Sequence, residues 1–539
     1  MKQSLISIIL MCLILASCAV TPKTIPSVAV MTSTSDNIIP TSSPTQFSTP
    51  TTIPANTPTT VPTILAGSLS VPDPRYSNPE LFDLTTPDAP IPQFVRAMQT
   101  VGMNITADQV VQGIAFLNYR TDGSALVDGD GSPIVFATFH FDPDPAQTGE
   151  VLEGDIPFFA AIQNPENGAY EWRKATPAFV ADAINLKFWT QTLSWKLDDP
   201  RYTQMILDNA NGLVCAGDFE WGDLFGKERS RLIREMIEQV KNGEEPDISR
   251  LNLEGIDRLV AFADAHDFDV MVLHLFDSMD TPPDIAQEVT RGDIAYADFE
   301  KFMEWYVKTI MRRYSFEEWS VFNEIAAYSL WGDEIYKPYI QLLLSNGLHE
   351  KMFAWAHEVA PEATLILNES FRRPGKNDET MVKLTTRYLD LLADLVQRGV
   401  PVTKAGIQGH VSIFTESTPD EISMFLDKVQ ATGVPLVGFT EVTVGVSETE
   451  RALQREEGES HPVDENVHIA QTRFYQSLLR AIIQKKGEWA TFGTSDAYSM
   501  FVDLGTPEVA ALLLDEQYRP KAAYYGVIQV LFNTLDRNP

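Results

Sequence analysis

Trp319-Ser-Val-Phe-Asn-Glu324 is a short, mostly apolar run that stops on an amide and a carboxylate. Its length and content read as a buried β-strand whose end presents Asn323 and Glu324. Gly438-Phe-Thr-Glu441 ends in the same manner, its glutamate 117 residues further on. Two carboxyl groups facing one cleft are what cleavage of a glycosidic bond requires. One protonates the leaving oxygen and the other meets the developing cationic sugar carbon; at about 5–5.5 Å apart the second attacks directly and configuration is retained. On this reading Glu324 is the acid/base and Glu441 the nucleophile. Glu324 then needs burial or a nearby negative charge to keep its proton, and Glu441 needs hydrogen-bond donors to stay ionised.

Working outward, apolar strand candidates recur at Asn185–Trp189, Gly212–Cys215, Asp269–Leu273, Trp319–Phe322, Ala363–Leu367, Lys404–Ile407, Pro435–Phe439 and Trp489–Phe492. Helical patterns follow most of them, at Arg229–Val240, Leu253–Ala265, Ala297–Met311, Ile335–Val359, Glu379–Gln397, Pro419–Gln430, His468–Lys485 and Lys521–Phe532. Eight strand-then-helix units predict an α/β fold, a closed (β/α)8 TIM barrel over residues 177–539. A doubly wound open sheet is the alternative, but no glycine-rich phosphate loop follows the first strand. In such a barrel the carboxyl ends of the strands surround one pocket. The sixth strand ends Gln408-Gly409-His410, and alternation turns both Gln408 and His410 inward. His410 could donate to Glu441, Asn323 could donate to a sugar hydroxyl, and His274, after the third strand, could bind another. His274-Leu-Phe-Asp277 has a spacing open to a cation, but no compact histidine or cysteine cluster supports a metal. No cofactor is expected, and a serine-hydrolase elbow is missing.

Ahead of the barrel, residues 69–176 read as a small α+β or β-rich module. Helical patterns lie at Val95–Val101 and Ala107–Ile114, and strand patterns at Ile134–His140, Ile156–Ile162 and Tyr170–Trp172. It is either a carbohydrate-binding unit or a support for the main domain. Residues 1–18 read as an export signal ending Leu15-Ala-Ser-Cys18, a lipoprotein-type processing site that would make Cys18 the lipidated first residue. Between residues 21 and 60, 25 of 40 residues are Ser, Thr or Pro, so residues 19–68 are expected to be an extended tether. The expected location is therefore the cell surface, anchored by lipid alone, or otherwise secreted. The formal net charge of −33 argues against nucleic acid as a partner and is compatible with a neutral polysaccharide. Only Cys215 lies in the body of the chain, so its core relies on packing without disulfides. A single protomer is expected to suffice.

From about residue 178 to 533 the chain resembles glycoside hydrolase family 10, the retaining endo-β-1,4-xylanases. The motifs are Phe-Trp-Thr-Gln-Thr with Leu-Asp-Asp-Pro-Arg-Tyr-Thr-Gln-Met-Ile-Leu-Asp-Asn (within Phe188–Asn209), Trp319–Glu324, Ala354–Glu369, Gly399–His410, Val434–Glu441, Phe492–Met500 and Leu512–Tyr524. The resemblance implies acid/base Glu324, nucleophile Glu441, and Asn323, Gln408 and His410 around the reacting sugar. It also departs from the family. Asp218 and Trp221 stand near a conserved Asn and Lys after the second strand, and His274 is the remnant of a third-strand motif. Phe492 and Met500 replace tryptophans near the eighth strand. Those positions bind the non-reducing side of the substrate, so Asp218, Trp221, His274 and Phe492 are expected to bind substrate with altered chemistry. Thr443 replaces an aspartate that would orient His410. The implied reaction is hydrolysis of internal β-1,4-xylosidic bonds. A retaining β-glycosidase on another glucan and a non-catalytic glycan-binding barrel remain the alternatives.

Overall fold

The structure is a computed structural model that describes residues 79–537, apart from 119, 121–123, 129–130, 143–151, 165, 332–333, 371–378, 414–418, 447–465 and 492–511. The expected signal with Cys18, the expected tether, and Phe492 and Met500 therefore lie outside the described residues. Pro72–Pro539 forms one compact unit.

Eight parallel strands build the barrel: β5 (Phe188–Thr192), β6 (Gly212–Ala216), β7 (Asp269–Leu273), β8 (Glu318–Asn323), β9 (Thr364–Glu369), β10 (Lys404–Ile407), β12 (Leu436–Gly445) and β13 (Glu488–Thr491). They pair in the order β10-β9-β8-β7-β6-β5-β13-β12, and β10 also pairs with β12, which closes the ring. A three-residue strand, β11 (His410–Ser412), adds to the upper half of β12. The (β/α)8 expectation holds, and the open sheet is excluded by that closure. Trp189, Val214, Met271, Leu273, Ile366 and Ala490 form one buried cluster, as the packed interior of such a barrel requires.

Three element boundaries differ from the sequence reading. The first barrel strand begins at Phe188, not Asn185, because Asn185 takes a left-handed turn (φ 52°) after the helix Pro177–Ala183. It then runs through Thr190-Gln-Thr192, polar residues buried in the barrel, which an apolar pattern does not flag. β12 extends to Gly445 for the same reason. The single helix expected over Ile335–Val359 is two, Tyr336–Ser345 and Leu348–Val359. Gly347 (φ 68°) between them adopts a conformation that only glycine takes at little cost.

The N-terminal layer is an antiparallel sheet, β1 (Ile114–Leu117), β2 (Ile134–Phe141), β3 (Gly154–Gln163) and β4 (Tyr170–Lys174), in the order β1-β2-β3-β4. β1 is a strand that the sequence reading did not assign; only its first residue, Ile114, fell in the helical pattern Ala107–Ile114. Part of the aromatic surface of this layer is turned onto the last helix, while Phe116 and Trp172 pack on each other at 5.9 Å. Phe94, from the helix Pro90–Thr100, and Phe136 each lie 5.0 Å from a ring of the last helix, Tyr525 and Phe532. The Gln529 amide donates to the carbonyls of Leu152 and Glu153 at 3.1 and 3.0 Å.

At the amino ends of the strands, four charges meet inside the barrel. Lys404 donates to Glu318 at 2.7 Å and to Glu488, and Lys187 donates to Glu318 at 2.7 Å and lies 3.4 Å from Glu488. Burial alone would lower the Lys404 pKa. The two carboxylates outweigh it and raise the ammonium above its ordinary value.

Candidate active site

The carboxyl ends of β8, β9, β10 and β12 are stitched together by backbone hydrogen bonds beyond the strands themselves. Glu324 N–H donates to the Asn368 carbonyl (3.0 Å), Gln408 N–H to that of Glu369 (3.1 Å), and Glu441 N–H to that of Gln408 (3.0 Å). Local irregularity aims the side chains. β8 shifts register against β9 between Ser320 and Phe322, an extra residue that changes the alternation. Ser320 and Asn323, three apart, thus both reach polar partners in the site, while Phe322 packs on Phe276 at 5.0 Å. The next residue, Glu324, takes φ 46°, an uncommon conformation for a residue with a side chain. β12 is likewise irregular between Phe439 and Val442, so the consecutive Thr440 and Glu441 side chains both bond Asn368.

The two glutamates lie at the same end of the barrel and have opposite electrostatic surroundings. Glu324 is 3% exposed. Burial, then the nearby Asp277 carboxylate, and then Glu441 push its pKa up to about 8, against the hydrogen bond from Gln408. Gln408 Nε2 donates to its Oε1 at 2.6 Å. Glu441 is 7% exposed, and burial would raise it too. His410, His274 and Asn368 outweigh burial and hold it below the ordinary value. His410 Nε2 lies 3.4 Å from one carboxyl oxygen, and Asn368 Nδ2 (3.0 Å) and His274 Nε2 (3.9 Å) face the other. One carboxyl is thus protonated and the other charged near neutrality, the division of labour that an acid and a nucleophile need.

Asn323, Glu324, Gln408, His410, His274 and Glu441 are brought together as the sequence reading placed them. Two others are not. Trp221 is 1% exposed in an aromatic cluster with Phe225, Phe276, Phe302 and Tyr306, at 5.3, 5.3, 5.8 and 5.6 Å. A buried indole wedged against a barrel helix cannot meet substrate. Asp218 accepts from Ser194 Oγ at 2.7 Å and lies 3.9 Å from Cys215 Sγ. Cys215 alternates with the interior residue Val214, so Asp218 is turned to the outer side of β6.

The sequence reading missed Asn368, Thr440, Tyr328, Ser320 and Glu369, weighed Asp277 only as a cation ligand, and read Thr443 only as the loss of a partner for His410. Asn368-Glu369 closes β9 with the same amide–carboxylate pair that marked β8, and that repetition was the available signal. Glu369 accepts from the Ala326 and Ala327 N–H groups (2.9 and 3.4 Å) at the start of the helix Ile325–Trp331. Burial and Glu324 keep its carboxyl well above the ordinary range. Gly406 leaves room for this network, since a Cβ there would stand 2.7 Å from Asn368 Oδ1. The orientation that His410 was expected to lack comes from Thr443, whose Oγ1 lies 3.1 Å from Nδ1. His274 Nδ1 lies 3.2 Å from Ser320 Oγ. His274 and Asp277 are engaged in this network, and among the described residues no group of acids, histidines and cysteines is arranged to hold a metal ion.

Against known proteins, the pattern described as glycosyl hydrolase family 10 matches residues 178–530. An endo-1,4-beta-xylanase of Geobacillus stearothermophilus is 26% identical over 236 residues, covering 42% of this chain and 67% of that protein. The endo-1,4-beta-xylanase 2 of Arabidopsis thaliana is 28% identical over 218 residues, covering 36% of this chain and 19% of the plant protein. Among solved structures, native xylanase 10B from Thermotoga maritima superposes with a TM-score of 0.53 at 20% identity, over 67% of this chain and 100% of that one. Xylanase 10B from Thermotoga petrophila, solved with xylobiose, gives 0.53 at 19%, over 67% and 99%. Likeness at such identity speaks for the barrel. The family match runs through more than half of the 539 residues, and on that ground this chain belongs to glycosyl hydrolase family 10.

Proposed function

We propose that the protein hydrolyses internal β-1,4-xylosidic bonds of xylan with retention of configuration. Glu324 acts as acid and then base, and Glu441 as nucleophile. The observation that carries this reading is the split between two buried carboxyls at one barrel mouth, Glu324 pushed up to about 8 and Glu441 held low. In the first step Glu324 gives its proton to the leaving oxygen while Glu441 attacks the anomeric carbon. In the second, Glu324 takes a proton from water, which displaces Glu441 from the sugar. Asn323 and His274 are placed to hold sugar hydroxyls, and Gln408 and His410 to hold the two carboxyls. The xylanase relatives support xylan over a β-glucan.

The N-terminal sheet fits a support better than a glycan-binding unit, because Phe136 and Phe158 are spent on the seam against the last helix. We further propose export and lipid anchoring at Cys18, with the Ser/Thr/Pro-rich stretch as tether, and action as a monomer. The test is reducing-end release from xylan and from a β-glucan control by the parent, Glu441→Ala and Glu324→Ala. The expected result is xylan cleavage by the parent, none by Glu441→Ala, and a loss of about 10²–10⁴-fold for Glu324→Ala. If the parent cleaves neither polymer, the proposal fails.

A further inference from the structure

Asp277 follows the third barrel strand, where the family resemblance offered no counterpart for it. The segment after His274 continues alongside β8, with Asp277 bridged to Asn323 and Asn323 N–H donating to the Phe276 carbonyl at 3.0 Å. Three donors converge on the Asp277 carboxylate. Asn323 Nδ2 (2.7 Å) and Tyr328 OH (3.2 Å) donate to Oδ2, and Met279 N–H (2.8 Å) donates to Oδ1. Burial raises the Asp277 pKa against His274 and these three donors, and in its ionised form the carboxylate only accepts. Asn323 must therefore turn its NH₂ toward Asp277 and its carbonyl the other way, where Asn368 Nδ2 donates to Oδ1 at 3.0 Å. Asn368 is then fixed as well. Its Oδ1 accepts from Thr440 Oγ1 at 2.7 Å, and its NH₂ has one hydrogen left, which goes to Glu441 Oε1 at 3.0 Å. Flipping Asn323 would set oxygen against oxygen at Asp277 and NH₂ against NH₂ at Asn368. Among the described residues, one hydrogen of Asn323 Nδ2 is the only polar hydrogen of the two amides that this relay does not use.

We propose that Asp277 is a positioning residue for the reaction: as an acceptor-only group it sets the direction of the Asn323–Asn368 amide relay, and so aims a donor at Glu441 while placing a negative charge beside Glu324. The proposal rests on the assignment of Glu324 and Glu441 above. The groups facing Glu324 are Asp277 from the segment after β7, Tyr328 from the helix that follows β8, Glu369 and Glu441 from β9 and β12, and the neutral Gln408. Those facing Asp277 include His274, Asp280 and Glu220. Among the influences on Glu324, the Asp277 charge ranks next after burial and ahead of Glu441, which supports the second half of the proposal.

The experiment uses the full chain and compares Asp277→Asn, Asn323→Ala and the double variant on a nitrophenyl xylobioside and on xylan. An amide at 277 keeps the shape, loses the charge, and mismatches at least one of the three donors. The expected result for Asp277→Asn is a roughly tenfold fall in kcat with KM nearly unchanged, and an alkaline limb of kcat/KM moved down by about one pH unit. The alkaline limb moves down because removing a negative neighbour lets Glu324 release its proton earlier. In the Asn323→Ala background, Asp277→Asn should add no further loss of kcat, because the relay is already cut, while the limb still moves. A parental kcat and an unmoved limb in Asp277→Asn overturn the proposal, as does a loss explained by a smaller active fraction with the limb unmoved. If Glu441→Ala retains activity, the assignment of the site fails, and that outcome is separate from these.

Discussion

The barrel buries charge at both of its ends, and the two ends solve the problem in opposite ways. At the amino ends, Lys187, Glu318, Lys404 and Glu488 form two positive and two negative groups in mutual contact. At the carboxyl ends, Glu324, Glu369, Glu441 and Asp277 crowd together and, among the described residues, meet histidines, amides and hydroxyls with no lysine or arginine. A balanced quartet gives each charge an opposite partner, which raises both lysines and lowers Glu488, while burial still raises Glu318. An unbalanced one must share protons, which drives the pKa values apart, and separated pKa values near neutrality are what acid–base chemistry uses. Burial is therefore a structural feature at one end and the source of reactivity at the other.

The comparison breaks first at Lys404. Lys404→Met should cost about 3–5 kcal/mol in denaturant unfolding, because it leaves the fully buried Glu318 short of a partner. Activity per folded molecule should stay near that of the parent. An unchanged stability would mean that the quartet carries no weight in the fold.

At the other end the sign is reversed. Folded Glu324 keeps its proton up to about pH 8, whereas the unfolded chain releases it near the ordinary 4.5. Glu220, pushed up to about 7 by burial and then by Asp223 and Asp277, behaves alike. The folded state thus binds more protons than the unfolded one, and stability falls as pH rises. The cleanest window is from about pH 6.5 to 8, above the range in which the histidines with lowered pKa titrate. Each titrating group contributes a slope on the order of 1 kcal/mol per pH unit. Unfolding free energies across that window should show the decline, and Glu324→Gln should flatten it. A slope identical in the variant would remove Glu324 from the account.

The smallest effect is expected at Thr443. Its hydroxyl meets His410 Nδ1, and His410 Nε2 faces Glu441. Thr443→Val removes one hydrogen bond, about 0.5–1.5 kcal/mol, so kcat should fall about threefold to tenfold with little change in thermal midpoint. No change in kcat would leave the His410 orientation to its other contacts.

Much of this was legible in the chain itself. Short apolar runs ending in Asn-Glu, Thr-Glu and Gln-Gly-His mark strand termini, because a buried strand has to be apolar along its length and becomes polar only where it opens on a cleft. The recurrence of such runs between helical patterns determined the barrel and put Glu324, Glu441, Gln408 and His410 at one end of it. Three things were decided only in three dimensions. The bulges in β8 and β12 change which face a residue points to, so Ser320 and Thr440 could not be assigned to the site by alternation. Trp221 and Asp218 follow a strand end and still turn outward, because a loop's direction depends on what packs beneath it. The pairing of Lys404 with Glu318 and Glu488, and of Asp277 with Asn323, joins residues tens of positions apart. Hydrogen bonds and charges act over a few ångströms of space, and a linear sequence specifies the groups without specifying which of them will lie that close.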